Sequence, residues 1–63
     1  PNGVAALEKL STALYVTYRE DTDGSIEARS KLINKLKPHV TIEEAREAIK
    51  TIDNIIEEAS GVQ

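Results

Sequence analysis

A chain of 63 residues with a net charge of −3, no cysteine and two tyrosines as its only aromatics excludes several kinds of protein at the outset. No disulfide framework and no thiolate metal site is possible, the acidic balance argues against nucleic acid as the main partner, and no apolar run approaches the length of a membrane span. What is left is one small domain over residues 1–63, near the lower size at which a chain folds without staples. With no signal-peptide pattern, its expected location is the cytoplasm.

Pro1-Asn2-Gly3 is a lead-in with turn chemistry, compatible with removal of an initiator Met or with the cut edge of a longer protein, and Asn2 is the expected N-cap of a first helix over about 3–19. Val4, Leu7, Leu14 and Tyr18 fall on one stripe of that helix with Leu10 beside them, so this stripe is expected to face the core. Almost opposite lie Ala5, Thr12 and Val16, with Ala13 nearby, and the only charges between Gly3 and Tyr18 are Glu8 and Lys9. A peripheral helix normally exposes a charged back. An uncharged one reads either as a tolerant surface or as a second contact face.

Arg19 to Ser25 is a polar break dense in turn formers. Asp23 or Ser25 caps a second helix over about 25–37, whose stripe is Ile26, Leu32, Ile33 and Leu36 with Arg29 in its middle. An arginine there is expected to lay its stem over the core, with its guanidinium at the edge against an acidic partner. Pro38 disfavours helical geometry at Lys37 and ends the helix. His39 sits in the connection, where it reads as a solvated loop residue.

The third helix, about 42–60, carries the strongest pattern. Ile42, Ala45, Ile49, Ile52, Ile56 and Ala59 alternate steps of three and four, and Ala48 and Ile55 widen the stripe. Val40-Thr41-Ile42-Glu43-Glu44 predicts a capping box between Thr41 and Glu44, with Val40 stapled onto Ala45. Gly61 is the expected left-handed stop, with Val62 folding back on Ile56. Basic residues crowd the second helix and acidic ones the third, which favours their antiparallel packing by tenths of a kcal/mol per exposed pair. The expected core is Val4, Leu7, Leu14, Ile26, Ile33, Leu36, Ile49, Ile52 and Ile56.

Four stretches invite a chemical reading. Asp21-Thr22-Asp23-Gly24-Ser25-Ile26 resembles the middle of an EF-hand calcium loop, but the first ligand position is then Arg19 and the twelfth Ser30, where carboxylates are required. Asp23-Gly24-Ser25-Ile26-Glu27-Ala28 resembles the serine-bearing turn of acyl and peptidyl carrier proteins, and Glu44-Ala45 with Ile49-Lys50-Thr51-Ile52 is similar to that family's final helix. That resemblance implies a phosphopantetheine arm on Ser25. Only these patches match: Gly24 stands where the family has Asp or His, and the long loop before its serine has shrunk, leaving an ordinary serine N-cap as the competing reading. A helix-turn-helix would present Glu43, Glu44 and Glu47 to a phosphate-lined groove, which repels them. For catalysis, one histidine and no cysteine offer no nucleophile paired with a base and no ligand set at metal spacing.

The residues together predict an all-α, small antiparallel three-helix bundle that is not an enzyme and uses no cofactor, no metal, no membrane and no small-molecule substrate. It binds another protein or forms a homo-oligomer, as an adaptor, inhibitor, regulator or accessory domain. The expected partner-binding residues are Ala5, Lys9, Thr12, Ala13 and Val16, whose small uncharged side chains admit a close helix at little desolvation cost. Val16→Glu is accordingly expected to leave the fold intact. A nucleic-acid-associated regulator using Lys31 and Lys35 is the alternative, and a carrier-like domain with Ser25 the third.

Overall fold

A computed structural model of the chain describes residues 2–19 and 22–61, with side chains from Ala6 onward. Three helices, α1 (Asn2–Thr17), α2 (Ile26–Leu36) and α3 (Ile42–Gly61), pack as an antiparallel bundle in which each touches both others. The expected helix count, order and approximate spans hold. Asn2 lies inside α1 rather than capping it, and α3 runs through Gly61 without a left-handed turn there. The contacts proposed for Val4, Ala5 and Val62 fall outside the described side chains.

Local chemistry sets each boundary that follows α1. Gly24, at φ +83°, makes the turn before α2, a conformation that costs glycine nothing. Ser25 Oγ then accepts from the Ala28 amide at 3.1 Å, and Asp23 Oδ1 accepts from the Ser25 amide at 2.9 Å. Hydrogen bonding from the Ser25 hydroxyl first and from its amide second holds the Asp23 carboxyl below its ordinary value. At the other end the Lys37 amide closes on Ile33 O at 2.7 Å. Asn34 Nδ2 donates to Val40 O at 2.7 Å, tying α2 to the connection.

The capping box of α3 is present in full. The Glu44 amide donates to Thr41 Oγ1 at 3.0 Å, and the Thr41 amide donates to Glu44 Oε1 at 3.0 Å. Val40 is buried beside Ala45 in the core cluster, where a staple residue belongs. Thr41→Ala is expected to cost about 0.5–2 kcal/mol in urea unfolding. Glu44→Ala should cost less, and the two losses should fall short of additive because they break one reciprocal motif. Full additivity would mean that the two bonds act separately.

The core consists of Ala13, Val16, Ile33, Val40, Ala45, Ala48, Ile49 and Ile52, with Leu10, Ile26, Leu32 and Ile56 packed against it. The expected contributions of α2 and α3 hold at Ile33, Ile49 and Ile52. Leu36, Ile42 and Ile55 are exposed instead. The larger correction concerns α1. Leu7, Leu14 and Tyr18, expected inside, are 63%, 42% and 70% exposed, whereas Ala13 and Val16, expected on the free back, are wholly buried. The helix is turned roughly half a revolution from the sequence-based expectation.

Two polar contacts and the size of the inner residues explain that rotation. Lys9 Nζ pairs with Glu44 Oε2 at 3.1 Å, and Thr17 Oγ1 accepts from Arg29 at 3.1 Å. Lys9 and Thr17 flank Ala13 on one face of α1, four residues away on either side, so both contacts pull the same face inward. Ala13, Ser30, Ala45 and Ala48 are small and buried, which lets the helix axes approach closely. A leucine or tyrosine turned into that space would overpack it.

Candidate interaction surface

Arg29 is the most buried charged side chain described, at 6% exposure, and all three of its guanidinium nitrogens have partners. It forms a fork on Asp53 of α3, with NH1 and NH2 each 2.9 Å from a carboxylate oxygen, and its Nε donates to Ser25 O at 3.2 Å. Hydrogen bonding from Arg29 holds the Asp53 carboxyl below its ordinary value of 3.8, and the same bond raises the Arg29 pKa. An acidic partner on a neighbouring helix was legible in the sequence. Burial of the guanidinium, in place of an edge position, was not. This cluster bridges all three helices and is structural, since each nitrogen of the guanidinium donates to an acceptor within the fold.

The surface outside the core divides by helix. Lys31 and Lys35 are exposed on one face of α2, but Arg29, the third cation of the middle of that helix, is spent on Asp53. His39 is exposed, with Nε2 3.2 Å from Glu8 Oε1, and Lys37 Nζ lies 3.9 Å from the other oxygen of the same carboxylate. Ser25, the residue of the carrier-like reading, is exposed, and its hydroxyl is occupied as the α2 cap. Among the described residues no three His, Asp or Glu side chains gather where they would hold a metal ion, and no helix is long and apolar enough to cross a membrane.

The five residues expected to bind a partner scatter accordingly. Ala13 and Val16 are core, Thr12 is half-buried with its hydroxyl on Glu8 O at 2.9 Å, and Ala5 lies outside the described side chains. Of the four with described side chains, Lys9 borders an open feature. It lies at the rim, with Glu44, Glu47 and Thr51, of a shallow cleft of about 440 Å³ between α1 and α3, floored by Ala6, Leu10 and Ala48. Its amine is already on Glu44, whose carboxyl is held below its ordinary value by the Thr41 amide first and by Lys9 second. The cleft has an apolar floor, and its ionisable groups stand at the rim.

The uncharged face that α1 leaves to solvent is the one the sequence placed in the core. Leu7, Ser11, Leu14 and Tyr18 follow one another at steps of four, three and four, all exposed, with Tyr15 (55% exposed) alongside. This is the spacing of a coiled-coil seam. Tyr15 is steadied by Arg19, whose guanidinium stands 5.2 Å from its ring centre and donates to its hydroxyl at 2.6 Å. The stripe itself was visible in the sequence; the side to which it points was not. No protein-family model matches the chain, and neither a characterised protein nor a solved structure does.

Proposed function

We propose that the chain is a non-enzymatic protein–protein interaction module that docks a helix against the outward face of α1. The observation that carries this reading is the exposed stripe of Leu7, Leu14, Tyr15 and Tyr18, with Ser11 between the two leucines, on a helix whose opposite face is already used by the core. Scattered apolar residues on a surface need no explanation. Two leucines and two tyrosines exposed on one helix face gather apolar surface of the kind that marks contact sites, and tyrosine is among the residues enriched at such sites. The shallow α1/α3 cleft extends the apolar surface along one edge of the seam through Leu10 and Ala48. The cytoplasm is the place of action in this reading, which a chain without cysteine fits.

The reading is tested by photocrosslinking in cells that express the protein naturally. Tyr18 replaced by benzoylphenylalanine is expected to give discrete protein adducts, while the same group at Lys31, exposed on α2, gives none. Absence of adducts at position 18, or equal labelling at both positions, would overturn it.

A further inference from the structure

Resting on the interaction reading above, we propose that the helix docked beside α1 is a basic amphipathic segment of another protein, with its apolar side in the α1/α3 cleft and its lysines or arginines against the carboxylates of α3. The two walls of that cleft differ. On the α1 side the floor residues Ala6 and Leu10 continue by one helical turn into Leu14, which is exposed. The α3 wall starts at Glu44, Glu47 and Thr51. Ile55 and Glu58, both exposed, follow at steps of four and three on the same stripe. From Glu44 to Glu58 this wall runs roughly 21 Å at 1.5 Å per residue, about four turns of a docked helix. One wall is apolar and the other acidic, which matches an amphipathic helix with a cationic flank.

The fold leaves carboxylates of that acidic wall unspent. α3 carries six carboxylates against Arg46 and Lys50. Asp53 is taken by Arg29, Glu44 by Lys9, and Arg46 itself by Glu27 of α2. Glu47 has Lys50 of its own helix, at 3.7 Å between two exposed side chains, a pairing worth little. Glu58 meets no cation among the described residues. A helix seated in the cleft draws water away from Glu47 and Glu58, and a cation on its flank offsets that loss. An acidic flank is repelled, and an uncharged one leaves the two carboxylates partly desolvated with no partner. α1 of a second copy brings no free cation, since Lys9 is already on Glu44. The same wall repels the phosphates of nucleic acid.

Two synthetic helical peptides of about 15 residues test the charge of the occupant. Both carry leucines at steps of three and four; the remaining positions are lysine and alanine in one, glutamate and alanine in the other. Titrated into the intact isotope-labelled chain, the lysine peptide is expected to shift the resonances of Leu10, Leu14, Ala48 and Ile55. It should bind about tenfold or more tighter than the glutamate peptide, and its affinity should fall as salt rises from about 0.05 to 0.5 M. Glu47→Lys, at an exposed site, should weaken the lysine peptide about fivefold or more. Glu58→Lys repeats the test should the first variant fold poorly. Glu57 is exposed one turn beyond Asp53, on the α2 side of α3. Glu57→Lys makes the same change of net charge there and should alter affinity less than about twofold. No binding of the lysine peptide, equal binding of both peptides, or equal losses in Glu47→Lys and Glu57→Lys overturns the basic helix as occupant. So does a dimer of the chain in sedimentation that Glu47→Lys abolishes, which places a second copy in the cleft. If Tyr18 still gives protein adducts in cells, the interaction reading survives any of these results with a partner of other chemistry; if it labels nothing, both fall.

Discussion

Val16→Glu should unfold the chain. Val16 is fully buried between Ala13 and the packed faces of the other helices, so the new carboxyl must either lose its charge in an apolar site or pull α1 off the bundle. Either route costs several kcal/mol, against a total stability of roughly 3–9 kcal/mol for a chain of this length. The expected result is loss of most helical signal at 25 °C and no cooperative thermal transition. Leu14→Glu, two residues away and on the outward face, should melt within a few degrees of the parent. The reverse pattern, a folded Val16→Glu and an unfolded Leu14→Glu, would mean that α1 packs through its leucines.

The second large effect is expected at Asp53. Asp53→Ala leaves the Arg29 guanidinium buried with only Ser25 O and Thr17 Oγ1 as acceptors. Breaking a fully buried ion pair costs about 3–5 kcal/mol. The Asp53 side chain is 40% exposed, so water reaches the site and about 2–3 kcal/mol is the expected loss in urea unfolding. Arg29→Met together with Asp53→Ala should recover much of it, because the cost lies in the stranded charge. If the double variant is as unstable as Asp53→Ala alone, the loss lies instead in the packing around Asp53. The depressed Asp53 pKa adds a pH dependence: the folded state binds the proton less readily than the unfolded state. Its stabilisation is complete above the ordinary value of 3.8 and disappears as pH falls through the lower folded-state value. Acid unfolding of Asp53→Asn should lose that component.

How much of this was legible in the sequence differs from helix to helix. The stripe and the capping box of α3 name the same face and the same first residue, and local geometry alone suffices to read them. Arg29 announced an acidic partner because a cation in the middle of an apolar stripe must have one. Which carboxylate it would be, and that Thr17 would share it, depends on contacts across 12 and 24 residues. The face of α1 was the failure, and its cause is physical. Two stripes run along that helix, and the outward one has the larger apolar side chains, so hydrophobicity alone favours it. Alanines and Ser30 on the facing helices leave room only for the small residues, and the Lys9 and Thr17 contacts fix the same face inward. The candidate surface was therefore visible as a pattern but assigned to the wrong side.

That assignment is what most directly decides the account. Methyl resonances of a dilute, monomeric sample can be recorded with and without a soluble paramagnetic agent, which broadens what solvent reaches. Leu7 and Leu14 are expected to broaden at low concentrations of the agent, while Val16 and Ile49 stay sharp. Broadening of Val16 with protection of Leu7 and Leu14 would contradict the rotation of α1 and, with it, the surface on which the proposed function rests.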